Sequence, residues 1–271
     1  MRKLTALMLI VMVGLFGVSC GDSSEGTSTG RLSLSLTDAP FPTSDVAEAN
    51  VTISKIDARN KSEVDGNPFI ILSEDEMSFN LLDLTNGVTA SLVNMEVPVG
   101  TYDLIRLYVS EASVELNDGT TFDLNVPSGA QTGIKIFIDP AVQVAGGLSA
   151  DLLLDFDVSK SFVPQGSSES GYSGFTFSPT LRAANLSTSG RLIGAISNNA
   201  EEGVAATVSV IAADTVSAGT VADNAGDYTV LGLEAGTYSV VFEHTDFVAD
   251  TVENVEIVAG NATTLDVVLE E

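Results

Sequence analysis

The chain has no tryptophan, one histidine and one cysteine among its 271 residues, and each shortage removes a class of chemistry. A lone cysteine allows no disulfide framework, so stability has to come from packing. With His244 as the single imidazole, a multi-histidine zinc centre is excluded, and Cys20 offers the one thiolate. A Ser-His-Asp triad would have to use His244 beside Asp246, and no Gly-x-Ser-x-Gly elbow is present, so His244 reads as a strand-end residue. No phosphate loop or dinucleotide fingerprint is found either. The lack of tryptophan leaves any sugar recognition without its usual stacking platform, to be carried by tyrosines. Positive charge is equally scarce, with 11 basic against 37 acidic residues. Such a chain repels phosphate backbones and anionic headgroups, which excludes nucleic acid as an expected partner. The acidity reads as a solvated surface, with cation binding as the alternative.

What is present begins with an address. Residues 1–20, MRKLTALMLIVMVGLFGVSC, combine Arg2 and Lys3 with an apolar run and small residues before Cys20, the pattern of a secretory signal. The run is shorter than the roughly 18 to 20 residues that span a bilayer. Its ending, Gly17-Val18-Ser19-Cys20, resembles the bacterial lipobox, which implies lipidation of Cys20 and a membrane anchor. Ordinary cleavage near Ser19, leaving a free thiol, is the alternative. Residues 21–30 contain no apolar side chain and read as a flexible tether reaching roughly 17 Å. Gly21 after Cys20, and Asp22 and Glu25 among serines, resemble the sorting signals of outer-membrane, surface-exposed lipoproteins. Removing Arg2 and Lys3 leaves 9 basic against 37 acidic residues, a formal charge of −28.

From Arg31 onward the pattern is all-β. Leu32, Leu34 and Leu36 alternate with serines, Val51 and Ile53 alternate with Thr52 and Ser54, and Asp118-Gly119 predicts a hairpin between Val114 and Leu124. The stretch Ser73 to Leu84 reads as a helical turn opened by a Ser73/Glu76 capping box, although Phe79, Leu81 and Leu84 would also suit a short strand. The segment Gln165 to Gly174, which holds Tyr172, reads as a flexible insertion, with a binding loop as the alternative. A boundary near Ser187 to Gly190 divides two strand-rich regions, 31–187 and 191–271. The second reads as seven strands, closing with a pair around Val255 to Val258 and Leu265 to Leu269 that turns at Gly260-Asn261. Two β-sandwich domains in series are the expected architecture.

Two resemblances carry this further. Gly190-Arg191-Leu192-Ile193-Gly194, the Gly226-Asp227-Tyr228 turn, Leu233 to Tyr238 and Ala259-Gly260-Asn261 are similar to the carboxypeptidase regulatory-like domain, which implies a prealbumin-like, Ig-like sandwich acting as a spacer. The upstream region resembles a bacterial lipoprotein domain family of unassigned function. Its carriers are Leu36-Thr37-Asp38-Ala39-Pro40, Gly100 to Leu107, Val126 to Gly129 with Gly133-Ile134-Lys135, and Leu154-Asp155-Phe156-Asp157 with Lys160-Ser161. Val99-Gly100-Thr101-Tyr102 and Ala235-Gly236-Thr237-Tyr238 repeat one turn-into-strand device in both regions.

The candidate chemistry is carboxylate chemistry. On a strand, Asp151, Leu153, Asp155 and Asp157 share one face while Leu152, Leu154, Phe156 and Val158 face a core. Aligned acids repel unless Lys, Arg, water or a cation intervenes. Lys135, Lys160 and Arg106 are the candidate partners, and the bland reading is a solvated face balanced by lysine. A calcium shell built from Asp38, Asp155 and Asp157 is the sharper one, since hard oxygen ligands suit Ca²⁺. Asp214-Thr215-Val216 and Asp250-Thr251-Val252 also resemble bacterial O-glycosylation acceptors. The expected function is a non-enzymatic cell-envelope lipoprotein, a ligand-binding or adhesive surface protein with the C-terminal sandwich as spacer and a glycan or matrix protein as candidate partner. The alternative is an extracellular glycan hydrolase using Asp155 and Asp157 as paired acids.

Overall fold

The computed structural model describes residues 28–39, 45–63, 66–126 and 129–271. Cys20 and most of the tether lie outside the described residues. Through Asn185 the strands are β1 (Thr29–Ala39), β2 (Val46–Asn60), β3 (Phe69–Ser73), β4 (Met77–Asn80), β5 (Ala90–Pro98), β6 (Gly100–Leu116), β7 (Thr121–Asp123), β8 (Ile134–Val144), β9 (Ser149–Asp157), β10 (Phe162–Ser167), β11 (Gly171–Phe177) and β12 (Leu181–Asn185). From Gly190 they are β13 (Gly190–Asn198), β14 (Thr207–Ala212), β15 (Thr215–Val221), β16 (Asp227–Leu233), β17 (Gly236–Glu243), β18 (Asp250–Ile257), β19 (Ala262–Thr264) and β20 (Val267–Leu269).

Alternating hydrophobicity makes these strands two-faced, and two sheets bury each set of inner faces. In the first sandwich one sheet runs β12-β9-β1-β5, with β1 and β9 parallel and the other pairs antiparallel. The second runs β3-β2-β6-β7, with β4 also on β2 and β8 also on β6. Leu32, Leu34, Leu154 and Phe156 from one sheet meet Val51, Ile53, Ile105 and Val109 from the other in one core. The expected hairpin at Asp118-Gly119 is present as β6–β7, with Gly119 at φ +84°.

The chain departs from expectation in two segments. Between Ser73 and Leu84 the chain forms β4, paired to β2, and then a single 3-10 turn at Leu81–Leu84. Asn80 caps that turn, not Ser73, because pairing lets Met77 and Phe79 pack on the core as alternate strand residues. The segment Gln165 to Gly174 is a hairpin rather than an insertion: β10 and β11 pair, Tyr172 stacks on Phe175 at 5.5 Å, and its hydroxyl donates to Asp45 Oδ2 at 2.8 Å.

The second sandwich has its own core around Leu192, Val208, Val210, Tyr228, Val240 and Phe242. Its sheets run β16-β13-β19, with β20 also on β13, and β15-β14-β17-β18. The closing pair is not a hairpin. β18 pairs with β17, whereas β19 and β20 cross to the other sheet and run parallel to β13. Bare backbone at Gly190 and Gly194 permits this, since a Cβ at Gly194 would collide with the Leu265 carbonyl. Both sandwiches use the same tyrosine device: Tyr102 donates to the Pro98 carbonyl and Tyr238 to the Glu234 carbonyl, each at 2.9 Å. Each hydroxyl ties a strand start to the turn four residues before it.

Candidate functional site

Strand β9 alternates as its sequence requires, with Leu152, Leu154 and Phe156 in the core of the first sandwich. Its other face is the site, and it is not the solvated face expected. The second sandwich covers it, and Leu153 is 0% exposed. Gly232 on β16, at φ +67°, permits the approach: a Cβ there would stand 3.0 Å from Ala184 and 3.1 Å from Leu153.

Asp155 sits directly opposite Arg182 on β12. Arg182 Nε and Nη2 both donate to Asp155 Oδ2, at 2.8 and 2.7 Å, while Nη1 donates to the Gly232 carbonyl of the second sandwich at 2.9 Å. Asp155 Oδ1 is buried and has no hydrogen-bond partner among the described residues. Burial pushes the Asp155 carboxyl above its ordinary range, with the Arg182 charge opposing. Asp157 goes the other way. Burial would raise it, but Lys160 Nζ and Ser159 Oγ donate to it at 2.6 Å each and the Lys160 amide at 3.0 Å, so it titrates below the ordinary range. That amide bond also caps the single helical turn Val158–Ser161.

The remaining predicted residues disperse. Asp38, 4% exposed, accepts from the Val158 amide at 3.2 Å, so it fastens the end of β1 to the turn after β9. Asp151 is half-buried at the far end of β9, outside the cleft. Of the basic partners proposed, Lys160 does pair with a β9 acid, but Arg106 binds Asp57 instead and Lys135 is exposed on β8 opposite Arg106. Among the described residues no three His, Cys, Asp or Glu side chains converge to hold a metal. Beside Asp155 and Asp157 the positive charge comes from arginine and lysine side chains, which is the arrangement a calcium shell would have to displace.

Asp155, Asp157, Lys160 and Arg182 form one wall of a cleft of about 460 Å³ between the sandwiches, and Thr207, Ser209 and residues 216–219 form the other. A second clasp beside it went unread in the sequence. Asn86, at φ +55°, receives the Thr229 amide on Oδ1 at 2.7 Å, donates Nδ2 to the Asp227 carbonyl at 2.9 Å, and donates its own amide to Thr220 Oγ1 at 2.8 Å. The available signal was Asn86-Gly87, a pair that tolerates positive φ.

The domain of unknown function DUF4382 matches residues 29–179, and the carboxypeptidase regulatory-like domain matches residues 189–270. The chain belongs to the DUF4382 family. No curated protein sequence matches it. Among solved structures it is similar to the TIE protein of Bacillus anthracis, at 11% identity and TM-score 0.27, covering 89% of this chain and 41% of that one. It is also similar to BcpA, the major pilin subunit of Bacillus cereus, at 9% identity and TM-score 0.22, covering 89% and 70%. For the shaft pilin spaA of Lactobacillus rhamnosus GG the values are 7%, 0.28, 89% and 97%. The chain thus spans less than half the length of the first of these.

Two of the four segments singled out in the sequence meet in space, through residues 36–39 and 154–161. Thr37 and Asp155 are register partners on parallel β1 and β9, and Thr37 Oγ1 bonds the Leu84 and Val88 carbonyls at 2.9 and 3.0 Å. That bond anchors the loop carrying Asn86. Ser161 Oγ accepts from the Thr180 amide at 2.9 Å, setting the approach to β12 and Arg182. Residues 36–38 and 154–161 therefore build the edge at which the DUF4382 domain meets its neighbour.

Proposed function

We propose that this protein is a non-enzymatic cell-envelope lipoprotein, anchored through Cys20 to the outer membrane, that presents a ligand-binding surface outside the cell. The observation that carries this reading is the join between the sandwiches. Asn86 and Arg182 bond across it, so the carboxypeptidase regulatory-like unit is held against the first sandwich rather than trailing from it. Such a body suits display of a fixed surface on a short tether. Its cleft acids are each already engaged by a basic side chain, which fits binding better than turnover.

Labelling cells with radioactive palmitate tests the anchor. The intact chain should take up label and fractionate with outer membranes, and Cys20→Ser should do neither; an unlabelled chain would end the anchored reading. Shaving intact cells with protease should remove the protein if it faces outward.

One observation favours a second reading as glycan hydrolase: the environments of Asp155 and Asp157 move their carboxyls in opposite directions, as an acid and a base would need. Release of reducing ends from envelope glycan, abolished by Asp155→Asn, would establish it over the binding reading.

A further inference from the structure

The cleft between the sandwiches holds more hydrogen-bonding capacity than the fold uses. On its first wall the charges close on themselves, with Arg182 on Asp155 at 2.7 Å and Lys160 on Asp157 at 2.6 Å. That wall offers donors and acceptors but no net charge. On the facing wall Thr207 and Ser209 of β14 and Ser217 of β15 are half-buried, and none of their hydroxyls bonds to another described residue. Asp155 Oδ1 lies buried behind that wall, an acceptor without a donor among the described residues and out of a ligand's reach.

Each feature narrows the ligand. A purely apolar molecule would leave three hydroxyls without partners, so the apolar lining from Leu181, Val216 and Ala218 suits the C–H faces of a ligand that also carries hydroxyls. An anion would meet a chain of formal charge −26 with both cleft cations already neutralised. A cation would find both cleft carboxylates already engaged, Asp157 by Lys160 and Asp155 by Arg182. A neutral molecule dense in hydroxyls suits both walls, donating to the Asp157 carboxylate and accepting from Lys160, serine and threonine. The volume of about 460 Å³ lies in the ordinary range for small-ligand sites.

We infer that this cleft binds a neutral saccharide, held by hydrogen bonds in place of aromatic stacking. The inference rests on the ligand-binding reading above and gives it a site and a ligand class. Ser209 stands opposite Gly219 on β15, and both line the cleft.

The test is calorimetry on the detergent-solubilised full-length protein with maltotriose, cellotriose, triacetylchitotriose and the anionic trigalacturonate. At least one neutral trisaccharide should bind, and trigalacturonate should bind more weakly. The Thr207→Val/Ser209→Ala double variant removes two hydroxyls with little change in volume and should weaken binding at least about tenfold, at two hydrogen bonds lost. Ser209→Phe fills the cleft and should abolish binding. Melting curves establish that each variant is folded, and the double variant keeps the test valid if the Ser209→Phe substitution disrupts β14. No heat with any neutral trisaccharide, or preference for trigalacturonate, overturns the proposal. Binding that survives both variants moves the site elsewhere, which overturns the cleft assignment and leaves the display reading intact. Loss of palmitate labelling would instead overturn the anchor and leave the cleft untouched.

Discussion

Two buried aspartates in the first sandwich each face an arginine across a strand pair, and the two pairs differ in what they finish. Asp57 on β2 stands opposite Arg106 on β6, as Asp155 on β9 stands opposite Arg182 on β12. Arg106 meets Asp57 with a two-toothed fork, Nε to Oδ1 and Nη2 to Oδ2 at 2.6 Å each. Tyr108 adds a bond to Oδ2 at 3.0 Å, and the Phe69 ring lies 3.5 Å from the guanidinium. Every oxygen is satisfied, and the pair belongs to one sheet. At Asp155 both arginine bonds fall on one oxygen because the third nitrogen is turned to the Gly232 carbonyl. The same two residue types thus make a closed structural pair in one place and, where the fork is divided between domains, an incompletely satisfied join in the other.

The largest expected effect breaks the closed pair. Asp57→Ala strands Arg106 beneath Phe69 and should cost roughly 3–5 kcal/mol in urea denaturation, the usual loss when one partner of a buried pair is removed. Asp155→Ala should cost less than half as much, because Arg182 keeps its bond to Gly232 and its side chain is 32% exposed. Equal costs would erase the distinction drawn between them. Next is Asn86→Ala, which removes both side-chain bonds to the second sandwich at about 2 kcal/mol in total. Its signature should be one unfolding transition separating into two, read by calorimetry.

The pH dependence is smaller, and its sign separates the two cleft acids. The Asp155 carboxyl is raised above its unfolded value, so the folded chain holds that proton more tightly, and this contribution is lost as pH rises through the folded value. Asp157 is lowered, so its contribution is present above the unfolded value and lost as pH falls through the folded one. Asp155→Asn should flatten the decline on the rising side and Asp157→Asn the loss on the acid side, measured as urea midpoints across a pH series from the acid range to neutrality. The smallest pair is Tyr102→Phe and Tyr238→Phe, each about 1 kcal/mol for one hydrogen bond. Similar values would confirm that the two turns are one device, although Tyr102 is fully buried and its hydroxyl is pushed up to about 12.

Much of the fold was legible because alternation is a local property. Leu32, Leu34, Leu36 and the inward residues of β9 could be assigned to a core from spacing alone, and Asp118-Gly119 named its own turn. Where the reading went wrong, a long-range contact decided. Within Ser73 to Leu84, Met77 to Asn80 formed a strand because β2 lay ready to pair with it, and the C-terminal strands separated because β13 offered an edge about 70 residues away, as in the Ile196–Val267 register. The outward acids of β9 were legible as a set. Their neighbours were not, because Arg182 is 27 residues from Asp155 in the chain and Gly232 is 50 from Arg182.

The sequence by itself determined the strand periods, the two-part organisation and which residues of β9 point away from its core, since side-chain direction on a strand depends only on parity. Only the tertiary structure decided that this outward face is covered, that Arg182 divides its donors between two sandwiches, and that Asn86 closes the join. Those outcomes depend on where a second folded body comes to rest, and the shape of Gly232 and Gly87 permits that contact without any local pattern announcing it.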